Sequence, residues 1–371
     1  MIPVNTPIIG ELERKYLNEC IDSGWISSEG PFVQRFETEM AAYAQRKHGI
    51  AVSSGTAALE IAVKAIGISE GDEVIMPTFT IISPAQAVTK LGAKPILVDS
   101  EPLTWNMDVS QIESKITKKT KAIIAVHIYG LPVDLDPLLN LCKKYNLKLI
   151  EDAAEMHGQT YKGRPCGSFG DISIFSFYPN KHVTTGEGGM IVTNSDELSE
   201  KCRSYRNLCF KKEQRFVHDE IGWNYRMTNM QAALGVAQLK QLDSFVHKKR
   251  SMGRNYTRLL QNLADVLELP LTATHYAKNI YWVYGVILKD DIKMNAKEVM
   301  QLLAKEGIGT RPFFYPMHKQ PVYNKQGWFY GESYPVAENM AERGFYIPSG
   351  LGLKEEDFQS VVKNLNKIFK R

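Results

Sequence analysis

The chain has 371 residues, which exceeds the size at which one hydrophobic core usually stops growing, so we expect two domains. Its hydrophobic, aromatic and charged fractions of 44%, 10% and 23% are those of an ordinary globular protein, and they exclude a disordered chain, a fibre or a bundle of membrane helices. The net charge of +4 is spread along the chain, whereas a surface that binds duplex nucleic acid is normally more basic, so we expect no nucleic-acid partner.

Short β-branched runs alternate with amphipathic stretches through the first two thirds of the chain, which is typical of an α/β sheet. The unbroken apolar runs are those expected of strands covered on both faces, so the sequence predicts a buried, largely parallel sheet. In chain order the pattern predicts a helix over 55–67, a strand over 72–80, a helix over 83–92, strands over 94–100 and 121–130, a helix over 134–146 and a strand over 147–154.

The pattern changes beyond residue 171. Two predicted strands, DISIFSF (171–177) and GMIVTN (189–194), flank a glycine-rich bend, and one long or broken helix is predicted over 227–263. We therefore expect a large α/β domain over 1–245 and a smaller C-terminal α+β domain over 246–371. The remaining predicted elements are a strand over 279–288 and helices over 295–307 and 355–370.

The cysteines and the N-terminal sequence indicate a cellular compartment. The five cysteines are odd in number and form no CxxC pair, so neither a disulfide framework nor a zinc cage is indicated. The first residues show no charged segment followed by an apolar one, and no later window holds about 18 apolar residues in a row. We expect a cytoplasmic protein without a membrane partner.

Three polar features fall at predicted strand ends and helix starts, where an open α/β sheet binds its ligands. The first is the sequence Ser53-Ser54-Gly55-Thr56, which directly precedes a predicted helix. Free backbone N–H groups, the helix dipole and hydroxyls at such a point suit a phosphate ester. The alternative is a simple helix cap.

The second feature is Asp152, at the end of a predicted buried strand and followed by Glu155 and His157. A buried carboxylate needs a cationic or hydrogen-bonding partner, and a protonated pyridine nitrogen would be one. The alternative is an aspartate that caps the next turn. We expect His157 to be a packed histidine because no second His or Cys lies at ligand spacing, so no metal is predicted.

The third feature is Lys181, which follows an aromatic strand and precedes Gly186, Gly188 and Gly189. Most lysines are solvated, but burial would lower the pKa of this one and make its neutral amine a nucleophile towards carbonyls. A phosphate cradle, an acid for a ring nitrogen and such a lysine are together what pyridoxal phosphate (PLP) requires of a protein.

Five motifs extend this interpretation to a family: SSGTAAL, PTFT, EDAAE-x-HG, SFGDISIFSF-x-x-NK-x-x-TTGEGG and GWNYRMTNMQAALG. With them the chain resembles the DegT/DnrJ/EryC1/StrS family of PLP-dependent sugar aminotransferases over essentially its whole length. The resemblance implies the PLP-dependent transferase fold type I, which is aspartate aminotransferase-like.

The resemblance also implies roles for individual residues. Lys181 matches the lysine that binds the cofactor covalently, Asp152 the carboxylate that keeps the pyridine nitrogen protonated, and Glu155 a residue beside the phenolic oxygen. Phe79 matches an aromatic residue that stacks on the ring. Asn224 matches a residue that reaches the phosphate from a partner subunit, which implies an obligate homodimer with shared active sites. The matching phosphate-binding residues are Ser54, Gly55, Thr56 and Ser176.

The segments SGWISSEGP, NIYWVY and TRPFFYPMH resemble family members that aminate C4 of GDP-4-keto-6-deoxymannose with glutamate as amino donor, a step in O-antigen precursor synthesis. One departure is Asn279, where those members carry a histidine. Alternatives that stay open are a UDP-linked or dTDP-linked substrate, amination at C3, and a non-catalytic regulator. The related 3-dehydratases replace the lysine by histidine, which Lys181 argues against. The implied substrate-binding residues are Trp25, Arg226, Arg311, Tyr315 and His318.

Overall fold

The computed structural model describes residues 1–211 and 213–370. Its helices are α1 Glu11–Ser23, α2 Pro31–Tyr43, α3 Gly55–Ala65, α4 Ser83–Thr89, α5 Leu135–Tyr145, α6 Asp196–Arg206, α7 Asn229–Leu239, α8 Leu242–Leu259, α9 Ala296–Lys305, α10 Pro321–Asn324, α11 Pro335–Arg343 and α12 Glu355–Phe369. Its strands are β1 His48–Val52, β2 Glu73–Pro77, β3 Lys94–Val98, β4 Thr120–Val126, β5 Lys148–Asp152, β6 Thr160–Tyr161, β7 Arg164–Pro165, β8 Ile172–Ser176, β9 Gly189–Thr193, β10 Leu267–Glu268, β11 Tyr284–Leu288, β12 Arg311–Pro312 and β13 Gly344–Ile347. Short 3-10 helices cover Val109–Gln111, Glu113–Lys115, Gln261–Leu263 and Met317–Lys319.

The large sheet of the described residues has seven strands in the order β1-β9-β8-β5-β4-β2-β3. β3, β2, β4, β5 and β8 run parallel to one another, and β9 is antiparallel to both β8 and β1. Along β4, Ile124 and Val126 belong to one hydrophobic core while Ile123 and Ala125 belong to another, so the sheet is buried on both faces. The predicted buried, mostly parallel sheet is confirmed.

A second, antiparallel sheet has the order β10-β11-β13-β12 and packs with α8, α9 and α12 around a third core. The first residues of the chain also lie on this unit. The Ile2 amide donates to the Gly307 carbonyl at 2.8 Å, and the Ser349 amide donates to the Val4 carbonyl at 3.0 Å. The predicted large domain covers residues 1–245, whereas these first residues form hydrogen bonds with the smaller unit.

Several helices begin at side-chain caps. Ser54 caps α3, and Thr228 with Gln231 forms a reciprocal capping box at the start of α7. The predicted helix over 227–263 is broken, because α7 ends at Leu239 and α8 begins at Leu242. Across residues 1–211 and 213–370, no helix combines the length and the apolar character needed to span a bilayer.

The predicted strand over 279–288 forms regular structure over β11 alone, so the prediction is wrong for residues 279–283. Tyr281 has a left-handed φ of 50°, and the Asn279 side chain accepts from the Tyr281 amide at 2.6 Å and donates to the Leu271 carbonyl at 2.9 Å. These local side-chain bonds replace the ladder bonds of a strand. The irregular stretch brings Trp282 to the large unit, as described below.

His157 is packed in the core, as expected. It is 1% exposed and lies between the rings of Phe175 and Phe177, at centroid distances of 5.5 and 5.4 Å. Neither ring nitrogen has a hydrogen-bond partner within the described part of the chain, although the His157 carbonyl accepts from His182 Nδ1 at 3.0 Å. Burial holds the pKa of His157 well below its ordinary value, so the imidazole is neutral.

This burial predicts a specific acid sensitivity. Below about pH 6.5 the unfolded chain protonates His157 and the folded chain does not, so the free energy of unfolding falls by up to roughly 1.4 kcal/mol per pH unit. Replacing His157 by a phenyl ring, which cannot be protonated, removes this loss of stability at low pH. We expect His157→Phe to lower the pH midpoint of acid unfolding, measured by tryptophan fluorescence between pH 7 and 3. The exposed His247→Phe is the control, and equal midpoints in all three proteins would contradict the prediction.

Candidate active site

The start of α3 meets the end of β8 in very close contact. The Ser54 side chain accepts from the Ala57 amide at 3.1 Å, while the amides of Gly55 and Thr56 lie in the first turn, where a helix offers no internal acceptor. A Cβ on Gly55 would lie 2.7 Å from the Ser176 Cβ, so only glycine fits there. Hydroxyls and free amides thus form a cradle of the size and polarity of a phosphate.

Lys181 follows β8 and turns its amine into the protein. The amine lies 3.8 Å from Glu155 Oε1 and 3.9 Å from the centroid of the Trp282 indole. The Trp282 Nε1–H donates to the Asn180 carbonyl at 2.9 Å, which fixes the indole beside the lysine turn. Burial lowers the pKa of Lys181, while Glu155 and Asp152 oppose this shift. The neutral form of this amine is therefore easier to populate than that of a solvated lysine.

Glu151 and Asp152 are the last residues of β5, and they have different roles. Glu151 accepts hydrogen bonds from His127 Nε2 at 3.1 Å and from the Phe169 amide at 2.9 Å, so its role is to hold loops. Asp152 lines the lysine's cavity and accepts from the Ala154 amide at 3.1 Å. Burial raises the pKa of Asp152, and a cationic ligand group beside it would favour the carboxylate again.

Glu155 connects the lysine to a strained loop. Its Oε2 accepts from the Tyr129 amide at 2.7 Å, and Tyr129 has a left-handed φ of 57°. Burial raises the pKa of Glu155 to about 8, and the Lys181 amine opposes that shift. The carboxyl is thus held beside the amine, with Oε2 on the Tyr129 amide and Oε1 facing Lys181.

These groups line one cavity of about 350 Å³. Two buried polar atoms at its wall, Thr80 Oγ1 and Asn180 Oδ1, have no hydrogen-bond partner among the described residues. The cradle, the carboxyl groups, the desolvated amine and these unpaired atoms fit PLP. Of the predicted cofactor residues, the cavity is lined by Ser54, Gly55, Thr56, Asp152, Glu155, Ser176 and Lys181.

Phe79 is a correction to the predicted site. It is fully buried and packs against Tyr129 and Phe314, with centroids 5.9 and 5.8 Å away, instead of lining the cavity. The next residues, Thr80 and Ile81, supply the wall at this point. The chain bends over residues 78–80 after β2, and there Phe79 faces the aromatic core and not the cavity, so it is not placed to stack on a ligand ring.

The remaining predicted residues lie outside this cavity. Arg311 lines an adjoining recess of about 210 Å³. His318 is buried, with one ring nitrogen 2.8 Å from Thr78 Oγ1 and the other 2.9 Å from Glu338 Oε1, which leaves neither for a substrate. Arg226 donates to Asn207 Oδ1 at 2.6 Å. The others, all exposed, are Trp25, Tyr315 and Asn224.

Part of the cavity wall is not predicted from the sequence. Tyr178 and Asn180 flank the lysine turn, and Trp282, Phe314 and Tyr346 arrive from distant segments. The motif NIYWVY includes Trp282, but its apolar pattern predicts a strand and not a cavity wall. No local pattern marked Tyr346, which reaches the cavity from β13.

Fold and site together define a PLP-dependent aminotransferase: an α/β chain with a desolvated lysine, an aspartate at a strand end and a phosphate cradle in one cavity. The chain belongs to the DegT/DnrJ/EryC1/StrS aminotransferase family, whose profile matches residues 7–366.

Relatives and solved structures agree with this class. The chain is 42% identical to the GDP-perosamine synthase of Escherichia coli O157:H7 over 99% of its length and 98% of the relative's. It is 40% identical to the GDP-perosamine synthase of Vibrio cholerae over 100% and 99% of the two chains. It superposes on the aminotransferase TlmJ from Streptoalloteichus hindustanus with a TM-score of 0.92 at 28% identity, covering 100% and 99% of the two chains.

The lysine has a direct test. Lys181→Ala should end covalent attachment of PLP and lower turnover by about 10²–10⁴-fold or more, because both a nucleophile and a proton carrier are lost. Borohydride reduction followed by peptide mass spectrometry should place the cofactor on Lys181 in the wild type. The exposed Lys201→Ala should behave as wild type. A cofactor label on another lysine would refute the assignment.

The aspartate has a second test. Asp152→Asn keeps the shape but cannot hold a ring nitrogen protonated, so we expect turnover to fall by about 10²-fold or more and the cofactor to dissociate faster. Stopped assays and the absorbance of PLP retained after ultrafiltration measure the two effects. Asp136→Asn, at an exposed site, is the control. Wild-type kinetics in Asp152→Asn would remove Asp152 from the mechanism.

Proposed function

We propose that this chain converts GDP-4-keto-6-deoxymannose to GDP-perosamine with glutamate as amino donor, a precursor step for O-antigen-type polysaccharides. The observation that carries the proposal is the identity of 40–42% to GDP-perosamine synthases over essentially the whole of both chains. The cavity supports it because the groups that transamination needs all line its wall.

The chain's own residues have separable tasks in this reaction. When bound, PLP supplies an aldehyde that captures amines and a ring that accepts electron density from the reacting carbon. The Lys181 amine anchors the cofactor and, once released, moves a proton to and from the reacting carbon of donor or sugar. Asp152 holds the ring nitrogen protonated, and the Trp282 indole keeps water from the amine.

The recess beside the cavity is the proposed place of the nucleotide diphosphate. It shares Tyr178, Asn180, Trp282 and Tyr346 with the cavity and adds Arg311. The Arg311 guanidinium is exposed, and its hydrogen bond goes to the neighbouring Thr310 carbonyl at 3.2 Å, which leaves donors for an anion. A guanidinium suits diphosphate oxygens because it offers paired N–H donors.

We also propose a homodimer in which Asn224 completes the partner's site. Asn224 is exposed and lies away from the cavity of its own chain. The same segment, between α6 and α7, presents Phe216 and Ile221 at 81% and 83% exposure. Apolar side chains displayed this way favour burial against a second copy.

A reducing compartment, the cytoplasm, is the proposed location. The five cysteines are all unpaired thiols. They are also buried, so none is placed to form a surface disulfide. This arrangement supports a protein that works where thiols stay reduced.

A substrate panel tests the proposed function. The purified protein is incubated with glutamate and GDP-, UDP- and dTDP-linked 4-keto and 3-keto sugars, and each product is identified by mass and NMR. We expect a 4-amino sugar from GDP-4-keto-6-deoxymannose, with 2-oxoglutarate released in equal amount. Consumption of a UDP or dTDP sugar instead would reject the GDP substrate and keep the aminotransferase, while a protein that binds PLP but turns over none would favour a regulator.

A further inference from the structure

Lys249 carries a buried amine that the mechanism above does not use. It lies in the middle of α8 and is 2% exposed. Its amine donates to two backbone carbonyls, that of Trp282 at 2.9 Å and that of Ser349. No carboxylate of the described residues pairs with it. An apolar side chain would occupy this place without the cost of burying an ammonium group, so the two bonds are what distinguish lysine here.

The two carbonyls belong to chain segments that lie just beyond a pair of strands. β11 and β13 pair from Tyr284 with Ile347, and both Trp282 and Ser349 lie outside this ladder. The Ser349 hydroxyl accepts from the Tyr284 amide at 3.2 Å, which ties the two segments to each other. Lys249 then ties both to α8. The Trp282 carbonyl accepts no hydrogen bond from the β11–β13 ladder, and Lys249 donates one to it instead.

The indole of Trp282 is the part of this segment that reaches the reactive amine. Its ring centroid is 3.9 Å from the Lys181 amine, and its Nε1–H bonds to the Asn180 carbonyl. Trp282 is thus hydrogen-bonded at two points, by its carbonyl from the α8 side and by its indole from the lysine turn, in addition to the aromatic packing around its ring. Without the hydrogen bond to the Trp282 carbonyl, the backbone at this residue could relax and the indole could move away from Lys181.

We propose that Lys249 is a positioning residue for the active site: by bonding the carbonyls of Trp282 and Ser349, it fixes the Trp282 indole over the Lys181 amine. Burial lowers the pKa of Lys249 to about 7, which fits an amine that is held by neutral acceptors. The effect on turnover rests on the proposed function, but the cover over Lys181 does not.

The test uses Lys249→Met, which keeps the volume and removes the donor, and Lys249→Arg, which keeps donors. Lys248→Met, the exposed neighbour on α8, is the matched control. In the holoenzyme we expect Lys249→Met to lower kcat by about 10-fold or more with a small change in KM, because positioning of the reacting groups is lost. Lys249→Arg should have a kcat close to that of the wild type, and Lys248→Met should have the wild-type kcat and KM.

A second readout needs no catalysis. The protein freed of PLP is treated with an amine-acylating reagent, and the rate of modification of Lys181 is followed by peptide mass spectrometry. Lys249→Met should raise this rate by about threefold or more, since a displaced indole no longer covers the amine. If the wild type turns over no ketosugar but Lys249→Met still raises the acylation rate of Lys181, the proposed function is rejected and the positioning role is kept.

The outcomes are decisive for the proposal. A folded Lys249→Met protein with wild-type kcat and wild-type acylation of Lys181 overturns it. If that variant does not fold, Lys249→Leu, which also lacks a donor, replaces it with the same expected results. Trp282→Leu tests whether the indole covers the Lys181 amine. If Lys181 in that variant is acylated at the wild-type rate, the proposal fails whatever the Lys249 variants show.

Discussion

The Lys181 amine is enclosed by groups from three segments of the chain. Glu155 comes from the loop after β5, Trp282 from the stretch before β11, and Asn180 from the lysine's own turn. A buried ammonium group is costly, so this enclosure favours the neutral amine, while the nearby carboxyl limits the cost. The chemistry of the site depends on this balance between the neutral and the charged amine. A movement of any of the three enclosing groups would change it.

The phosphate cradle depends on a different constraint, the close approach of backbones. A Cβ on Gly189 would lie 2.3 Å from the Ser54 carbonyl oxygen, and one on Gly55 would meet Ser176. The glycine-rich bend before β9 lets the chain reverse, so that β9 runs antiparallel between β8 and β1. The start of α3 can then lie against the end of β8. These glycines permit contacts that any side chain would block.

An aromatic core joins the two sheets beside the cavity. Phe79 and Tyr129 from the large unit pack on Phe313 and Phe314, which follow β12 and come from the C-terminal part. The Phe314 amide donates to the Tyr129 hydroxyl at 3.1 Å, and Glu155 holds the Tyr129 amide. The wall of the cavity is therefore connected to the packing between the units, and Phe79 belongs to that packing.

The sequence by itself determined what depends on neighbours along the chain. Apolar runs bounded by turns defined the buried strands, and Ser54, Asp152 and Lys181 stood at strand ends and a helix start, which parallel strands bring to one edge of a sheet. The tertiary structure alone decided which distant side chains close the site. The wall that includes Trp282 and Tyr346 depends on how the small sheet meets the large one, and side-chain bonds of Asn279 override a strand-like sequence there. Whether Phe79 faces a ligand or a core was likewise set by packing across the sheet, because contacts between remote segments leave no periodic pattern in the chain.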